Sequence, residues 1–125
     1  PTLPAWTYAL EGVVSVGLEL DRPIMDARIA ARVDAMWEAG LVDEVRALEE
    51  QGLRQGLTAS KAIGYRQVLE YLDGRRSEAE AREAIVAGTK RFARKQLSWF
   101  RRDHRVVWHV AGTPGLADAI AEQLL

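Results

Sequence analysis

The sequence of 125 residues contains no cysteine and only two histidines, His104 and His109. The missing cysteines exclude a disulfide framework, a thiolate nucleophile and a cysteine-based metal site, and two histidines are too few for a histidine-rich metal cage. The apolar runs are far shorter than a membrane span, and no signal-peptide pattern opens the sequence. We therefore expect a reduced, cytoplasmic protein that has no membrane among its partners.

Acidic residues are missing from residues 84–102, a stretch that holds six of the seventeen basic residues. On a helix of 3.6 residues per turn, the six cations share one arc with Ser98 among them. They are Lys90, Arg91, Arg94, Lys95, Arg101 and Arg102. Like charges on one face repel each other unless acids interleave, so we expect the counter-charge to come from outside. A nucleic-acid backbone is the commonest such polyanion, and a solvated basic face is the alternative.

The opposite side of the same helix carries a heptad seam of Ile85, Phe92 and Trp99, which we expect to be buried. Gln96 lies at the edge of this seam beside the cations. A partly buried amide needs hydrogen-bond partners, and the edge of a nucleobase would supply them. Trp37 and Trp108 are expected to pack inside the protein.

Composition is ordinary for a soluble globular domain, because hydrophobic residues make up 48% and charged residues 28% of the chain, with a net charge of -1. Hydrophobic periodicity predicts a mainly α fold with two short strands. The predicted helices cover residues 24–39, 41–51, 61–72 and 77–102, with a last one after Thr113 and Pro114, and the predicted strands cover residues 13–20 and 106–110. The two strands are expected to belong to a larger sheet, so the chain is expected to be a fragment of a longer protein.

Local signals refine this pattern. Ser77 and Glu80 form a capping box, and Ser60 is the expected cap of the helix over residues 61–72. Residues 53–58 are expected to form a polar linker. One face of the first strand is expected to be buried, and so is one face of the last helix. The residues on these faces are Val14, Val16, Leu18 and Leu20 in the strand, and Leu116, Ile120 and Leu124 in the helix.

Arg28 and Arg32 stand four residues apart, so their guanidinium groups project from one helix face. Asp26 and Asp34 are not at the spacing that would pair with either along the helix. Two neighbouring guanidinium groups can clamp a phosphate or a diphosphate. The alternative, favoured slightly by spacing alone, is a surface ion pair with a distant acid.

The segment from Lys61 to Gln67 places Gly64 in a predicted helix, where glycine costs about 1 kcal/mol relative to alanine. A glycine in such a place often permits another backbone to approach closely. Lys61, Tyr65 and Arg66 surround it with two cations and an aromatic ring, which suits a nucleic-acid backbone or an unstacked base. A tight helix–helix contact at Gly64, with Tyr65 in the core, explains the same pattern equally well.

Catalytic motifs are absent from the sequence. There is no G-x-x-x-x-G-K-[ST] loop, and no Ser/His/Asp set, HExxH motif or Cys–His pair can be assembled. Asp21 and Asp43 are possible bases, but nothing singles out either one. The residues indicate a binding part without a catalytic part.

Taken together, these segments resemble the C-terminal part of bacterial tRNA dimethylallyltransferase, the tRNA isopentenyltransferase family. The resemblance covers roughly residues 13–108 and lies in five blocks that follow the order of the family. The blocks are VGLELDR (16–22), RIAARVDAM (28–36), GLVDEVR (40–46), AIGYRQ (62–67) and TKRFARKQLSWFR (89–101). The last two blocks are the most specific.

The resemblance implies a C-terminal fragment of a P-loop-type α/β transferase, with an ATP-binding type of nucleotide fold and dependence on Mg²⁺. Such an enzyme moves a dimethylallyl group from dimethylallyl diphosphate to the exocyclic amine of the adenine beside the anticodon, which is flipped out for reaction. The phosphate loop, the general base and the metal ligands of the family lie outside these 125 residues. The resemblance therefore implies no catalytic residue and no metal ligand in this chain.

Residue by residue, the resemblance assigns diphosphate binding to Arg32, with Arg28 beside it. It assigns contact with the anticodon stem-loop of tRNA to two segments. Their residues are Lys61, Gly64, Tyr65, Arg66, Arg94, Lys95, Gln96, Ser98, Trp99 and Arg101. Lys61 and Ser98 depart from the arginine and threonine that the family often has, and a lysine does not make the bidentate contact of an arginine.

The expected organisation is a strand belonging to the P-loop core at residues 1–22, a helical tRNA-binding part at 23–102, and a strand with a terminal helix at 103–125. The full-length enzyme is expected to be monomeric, whereas the fragment is expected to be inactive alone and able to self-associate. A non-catalytic helical nucleic-acid-binding module is the alternative. A plain helical interaction domain, which would not bind RNA, is the third possibility.

Overall fold

The computed structural model describes residues 2 and 4–124. In this part of the chain the structure confirms a mainly helical fold with two short strands. The α-helices are α1 (Arg22–Glu38), α2 (Leu41–Glu50), α3 (Tyr65–Leu72), α4 (Glu78–Phe100) and α5 (Leu116–Glu122). The strands are β1 (Ser15–Glu19) and β2 (Val106–Val110), and 3₁₀ turns occur at Leu53–Gln55 and Ala59–Lys61.

The chain divides into two compact units. Residues 22–93 form the helical unit, and the described residues before 22 and after 93 form the strand unit. Helix α4 belongs to the helical unit up to Ala93 and to the strand unit from Arg94 onwards. The functional division proposed from the sequence stays a prediction.

The core of the helical unit is built from the apolar sides of four helices. Its buried side chains are Val33, Leu41, Val45, Leu53, Val68, Leu69 and Ile85. Val33 of α1, together with Leu41 and Val45 of α2, is buried, and in α2 the two buried residues stand four apart on one apolar side of the helix. The linker prediction is wrong at Leu53, which is 7% exposed, because the 3₁₀ turn after α2 directs this side chain into the core.

The start of α4 follows its sequence signal, whereas the start of α3 does not. Ser77 and Glu80 form the predicted capping box: the Ser77 N–H donates to Glu80 Oε2 at 2.8 Å, and the Glu80 N–H donates to Ser77 Oγ at 3.1 Å. Helix α3 begins at Tyr65, not at residue 61. The Ser60 hydroxyl donates to the Gly56 carbonyl at 2.6 Å, so it does not cap that helix. The positive φ of Gly64, 100°, explains why no helix extends back through this residue.

The strand unit contains a parallel pair, in which β1 and β2 align Gly17 with Trp108. The Trp108 indole covers Gly17 so closely that a Cβ at residue 17 would lie 2.5 Å from Trp108 Cε3. The predicted burial of Val14, Val16, Leu18 and Leu20, on the other face of β1, is wrong at two residues, because Val14 is 37% and Leu18 56% exposed. In the described residues the sheet has only two strands, so no further layer covers Leu18. Parallel sheets are usually covered on both faces, and the larger sheet stays a prediction.

Helix α5 closes the described chain. It begins after Gly115, and the Thr113 hydroxyl donates to the Val110 carbonyl at 2.7 Å instead of capping the helix. Leu116 and Ile120 are half-buried. The prediction for Leu124 is wrong, since this residue lies beyond the helix and is 63% exposed. None of the described helices is long and apolar enough to cross a membrane.

Candidate nucleic-acid interface

The basic face of α4 is largely unpaired. Lys90 Nζ lies 3.8 Å from Asp26 Oδ2, and Arg101 Nη2 lies 3.8 Å from Glu19 Oε2, both beyond hydrogen-bond distance. The other four cations are exposed and form no ion pair with a described residue. They are Arg91, Arg94, Lys95 and Arg102. External counter-charge therefore remains the expectation for these four, while Lys90 and Arg101 each have a weak partner within the chain.

The capped start of α4 and its charged end suit the helix dipole. Glu78 and Glu80 occupy the first turn, and Arg101 and Arg102 follow the last helical residue. Acids at the N-terminus and cations at the C-terminus of a helix are favourable. Arg101 and Arg102 therefore interact favourably with the dipole at the end of α4. Their positive charge is compatible with helix formation even when no ligand neutralises it.

The predicted buried seam on α4 is wrong beyond its first member. Ile85 is 1% exposed, but Phe92 and Trp99 are 51% and 49% exposed. The core of the helical unit reaches only the first half of α4, and the later turns belong to the strand unit. Gln96 is also exposed, so the expectation of a partly buried amide at this residue is wrong. Ser98 is exposed as well.

In the strand unit, Trp99 is part of an aromatic cluster that the sequence did not reveal. Its indole contacts that of Trp6, with ring centroids 5.6 Å apart and planes inclined by 50°. The guanidinium carbon of Arg105 lies 4.0 Å from the centroid of the Tyr8 ring and 5.9 Å from that of the Trp6 ring. The cluster therefore combines two indoles with one stacked guanidinium group. No local sequence pattern indicates this cluster, because Trp6 and Trp99 are far apart in the chain.

Asp103 fixes Arg105 in this arrangement. Its Oδ1 accepts from Arg105 Nε and its Oδ2 from Arg105 Nη2, each at 2.8 Å, and Oδ1 also accepts the Arg105 backbone N–H at 3.0 Å. The hydrogen bonds from Arg105 lower the pKa of the Asp103 carboxyl to about 2. The same pairing raises the pKa of Arg105. A bidentate clamp of this kind holds the guanidinium plane in one orientation.

In the helical unit, Gly64 is needed for its backbone conformation. Its φ of 100° and ψ of -61° are disfavoured for a residue with a Cβ, although nothing lies within 4 Å of where that Cβ would be. The predicted tight helix–helix contact at Gly64 is therefore wrong, whereas contact of Gly64 with a nucleic-acid backbone stays a prediction. At Gly88 in α4 a Cβ would make only ordinary contacts, at 3.7 Å from Ile63 Cγ2 and 3.8 Å from Gln67 Nε2.

The neighbours of Gly64 divide into buried and exposed side chains. Tyr65 is half-buried against the core, and its hydroxyl donates to Glu44, which raises the pKa of Tyr65. Core packing of Tyr65, one of the two alternatives, thus agrees with the structure. Lys61 and Arg66 are exposed and have no ion pair among the described residues.

Arg28 and Arg32 are both exposed on α1. The acids that flank them in sequence have other partners, because Asp34 Oδ1 lies 3.1 Å from Arg82 Nη1 and Asp26 lies near Lys90. No described acid pairs with Arg28 or Arg32, so the alternative of a surface ion pair is not what the structure shows. The two guanidinium groups are available to an anion.

A metal site is not formed by this part of the chain. Among the described residues, no three histidine or acidic side chains cluster in a way that could hold a metal ion. The described residues therefore do not fit a Mg²⁺ site.

Comparison with known proteins places this arrangement in a family of transferases. The family model of IPP transferase matches residues 7–103. A tRNA dimethylallyltransferase from Cutibacterium acnes is 55% identical over 124 residues, covering 99% of this chain and 39% of that protein. One from Streptomyces avermitilis is 65% identical over 95 residues, covering 76% of this chain and 30% of that protein.

A solved structure shares the fold. The full-length tRNA isopentenylpyrophosphate transferase from Bacillus halodurans matches with a TM-score of 0.80 and 33% identity, covering 90% of this chain and 39% of that one. The chain therefore belongs to the IPP transferase family, as the resemblance of its sequence blocks indicated. It spans about 39% of the length of the Cutibacterium acnes relative.

Proposed function

We propose that this chain is the tRNA-binding part of a tRNA dimethylallyltransferase. The whole enzyme would transfer a dimethylallyl group from its diphosphate to the exocyclic amine of the adenine beside the anticodon, in the cytoplasm. Membership of the family supports the reaction class. The observation that carries the role of this chain is the set of four exposed, unpaired cations on and just after α4.

Unpaired cations on one helix face suit the regular negative charge of an RNA backbone. Arg91, Arg94, Lys95 and Arg102 can each approach a phosphate without first breaking an ion pair, and binding releases the counterions condensed on the RNA. Ser98 lies exposed among them and Gln96 lies exposed beside them, and both side chains can donate to phosphate or sugar oxygens. We expect these contacts to position the anticodon stem-loop on α4.

Around Gly64 we propose a second contact with the same RNA. Lys61 and Arg66 provide two further unpaired cations next to an exposed turn. Gln67 fixes this turn from within, since its Oε1 accepts the Gly64 N–H at 2.9 Å. The Tyr65 hydroxyl already donates to Glu44, so we expect Tyr65 to shape the turn that contacts the RNA and not to donate to the RNA itself.

For the diphosphate of the substrate we propose Arg32, with Arg28 one turn away. The four-residue spacing places both on one face of α1, and a guanidinium group binds phosphate oxygens in a bidentate manner. As the allylic C–O bond breaks, negative charge grows on the departing oxygen. Stabilisation of that growing charge lowers the barrier more than it strengthens ground-state binding.

The 125-residue chain is expected to show no prenyl transfer by itself. Its sequence contains neither a phosphate-binding loop nor an assignable general base. Incubation of the purified chain with labelled dimethylallyl diphosphate, Mg²⁺ and tRNA is expected to leave the tRNA unlabelled, whereas the full-length enzyme labels it. Labelling by the isolated chain at a rate that scales with its concentration would refute this division of roles.

The binding role is tested by charge reversal with a matched control. The variant combines Arg94→Glu with Lys95→Glu, and the control combines Arg46→Glu with Arg75→Glu, which changes the net charge equally at exposed arginines that are not part of the basic face of α4. Loss of two charge-assisted contacts in the Arg94/Lys95 variant is expected to weaken tRNA binding by about tenfold or more. The control variant is expected to weaken tRNA binding much less. Equal affinities of the two variants for tRNA at low salt would overturn the proposal.

A further inference from the structure

The exposed indole of Trp99 lies at the border between the apolar seam and the cationic face of α4. Lys95 and Arg102 are four residues before and three residues after Trp99, so all three lie on one side of the helix. The Arg102 N–H donates to the Trp99 carbonyl at 3.2 Å, which continues the helical turn beyond Phe100. A cation, an aromatic ring and a second cation therefore follow one another along this side.

A cavity of about 300 Å³ opens beside the indole. Its lining includes Trp6, Trp99 and Arg105, with Pro4, Ala5 and Thr7. This volume lies at the lower end of the range for small-ligand sites. The two indoles and the guanidinium plane of Arg105 contribute flat surfaces to these walls.

These walls are fixed before any ligand binds. Asp103 and the Tyr8 ring hold Arg105, and Trp6 contacts Trp99. A preorganised aromatic surface loses little conformational entropy on binding. Little of the favourable stacking free energy with a flat ligand is therefore offset by the cost of ordering side chains.

We propose that Trp99, Trp6 and Arg105 form a stacking site for one unpaired nucleobase of the RNA ligand. The flanking phosphates of that nucleotide would lie on Lys95 and Arg102. This inference rests on the proposed RNA-binding function and specifies where a base, as distinct from the backbone, is bound. An anionic, base-bearing strand fits this row better than an apolar protein segment does, because residues 84–102 contain no acid and supply a positive field.

The test uses the 125-residue chain and short single-stranded RNA, the same RNA with one abasic nucleotide at each position in turn, and its duplex. Trp99→Leu removes the π surface, and Phe100→Leu is the control, since Phe100 is the next residue on the same helix and is 50% exposed. Trp99→Leu is expected to weaken single-strand binding about tenfold with an unchanged salt slope. Phe100→Leu is expected to change the affinity for single-stranded RNA by less than about twofold. The affinity of either variant for duplex RNA is likewise expected to change by less than about twofold.

The abasic series identifies the stacked nucleotide. For the parent chain, one abasic position is expected to cost about tenfold in affinity, and in Trp99→Leu the same position is expected to cost almost nothing, as in a double-mutant cycle. Trp99→Phe keeps an aromatic ring against Trp6, and its loss of RNA affinity is expected to be intermediate. This variant distinguishes loss of stacking from a folding defect in Trp99→Leu.

The outcomes separate the two proposals. If the parent chain binds no RNA at low salt, the proposed function fails and this inference fails with it. If the chain binds RNA but Trp99→Leu behaves like Phe100→Leu, or loses strand and duplex equally, only the stacking site is overturned. Additive losses for the abasic position and Trp99→Leu would also overturn it.

Discussion

The buried side-chain amide of Gln67 accepts a hydrogen bond from the backbone N–H of Gly64 at 2.9 Å. Gln67 is 2% exposed, and a Cβ added to Gly88 of α4 would lie 3.8 Å from its Nε2. Gln67 is thus a neighbour of both Gly64 and Gly88, and these three residues form a junction between the start of α3 and the middle of α4 in the helical unit.

The two glycines of this junction are predicted to respond oppositely to alanine. Gly64→Ala is expected to destabilise the protein by about 1–3 kcal/mol, because an alanine would be strained at φ 100° even though space is open around it. Gly88→Ala is expected to stabilise it by up to about 1 kcal/mol, since residue 88 is helical and the new Cβ would make ordinary contacts of 3.7 and 3.8 Å. Urea unfolding of both variants measures the two effects. Changes of the same sign would show that the two glycines do not differ in this way.

Gly17→Ala is predicted to destabilise the strand unit by about 1–3 kcal/mol through overpacking. The added methyl carbon would lie 2.5 Å from Trp108 Cε3, and Trp108 is the residue aligned with Gly17 in the parallel pair. In a protein that already carries Trp108→Leu, Gly17→Ala should cause little further loss of stability, because the leucine leaves room for the methyl group. Thermal melting of the single and double variants checks this, and strictly additive losses would argue against the contact.

Asp103→Asn is predicted to lower stability in a pH-dependent manner. The hydrogen bonds from Arg105 lower the pKa of the Asp103 carboxyl to about 2, below its ordinary value of about 3.9. The ionised carboxylate therefore stabilises the fold fully above about pH 4, and this contribution is lost as the pH falls through about 2. The melting-temperature difference between parent and Asp103→Asn should be constant near neutral pH and should shrink on acidification.

An exposed acid provides the control for this titration. Glu83→Gln removes a carboxylate that lies beyond the first turn of α4 and has no ion pair among the described residues. It should change the melting temperature little at any pH. A pH-independent difference for Asp103→Asn would mean that the Arg105 pair does not set the stability of this turn.

The sequence anticipated features that depend on local signals. The capping box at Ser77, the inward side chains of α1 and α2, and the α-rich composition all follow from periodicity and short-range hydrogen bonding. The acid-free stretch also revealed the basic face of α4, because charge spacing on a helix needs no tertiary information. The family resemblance came from the order and content of five sequence blocks.

Features that depend on long-range contacts were missed. Heptad spacing predicted a buried Trp99, but burial requires a neighbouring element, and the core of the helical unit extends only along the first half of α4. Gly64 was assigned to a helix because a positive φ leaves no trace in sequence apart from the glycine itself. The contact of Trp6 with Trp99 likewise depends on pairing between distant parts of the chain.

Arg32→Ala in the full-length enzyme is predicted to lower kcat by about two to three orders of magnitude, the range for loss of one donor to developing charge. Arg32→Lys should recover only part of this, since an ammonium group does not donate two parallel hydrogen bonds. Affinity for tRNA should hardly change. Arg46→Ala, at an exposed arginine of α2, serves as the control. A large fall in melting temperature with near-normal kcat would make Arg32 a structural residue instead.

The salt dependence of tRNA binding tests most directly whether α4 contacts the RNA backbone. The slope of log K against log salt counts the phosphates neutralised, at about 0.9 per contact in duplex regions and about 0.7 in single strands. The variant combining Arg94→Glu with Lys95→Glu is predicted to reduce the slope by about 1.4–1.8, while the variant combining Arg46→Glu with Arg75→Glu keeps the parental slope. If both double variants keep the slope of the parent chain, or lower it equally, the basic face of α4 is not the surface that binds tRNA.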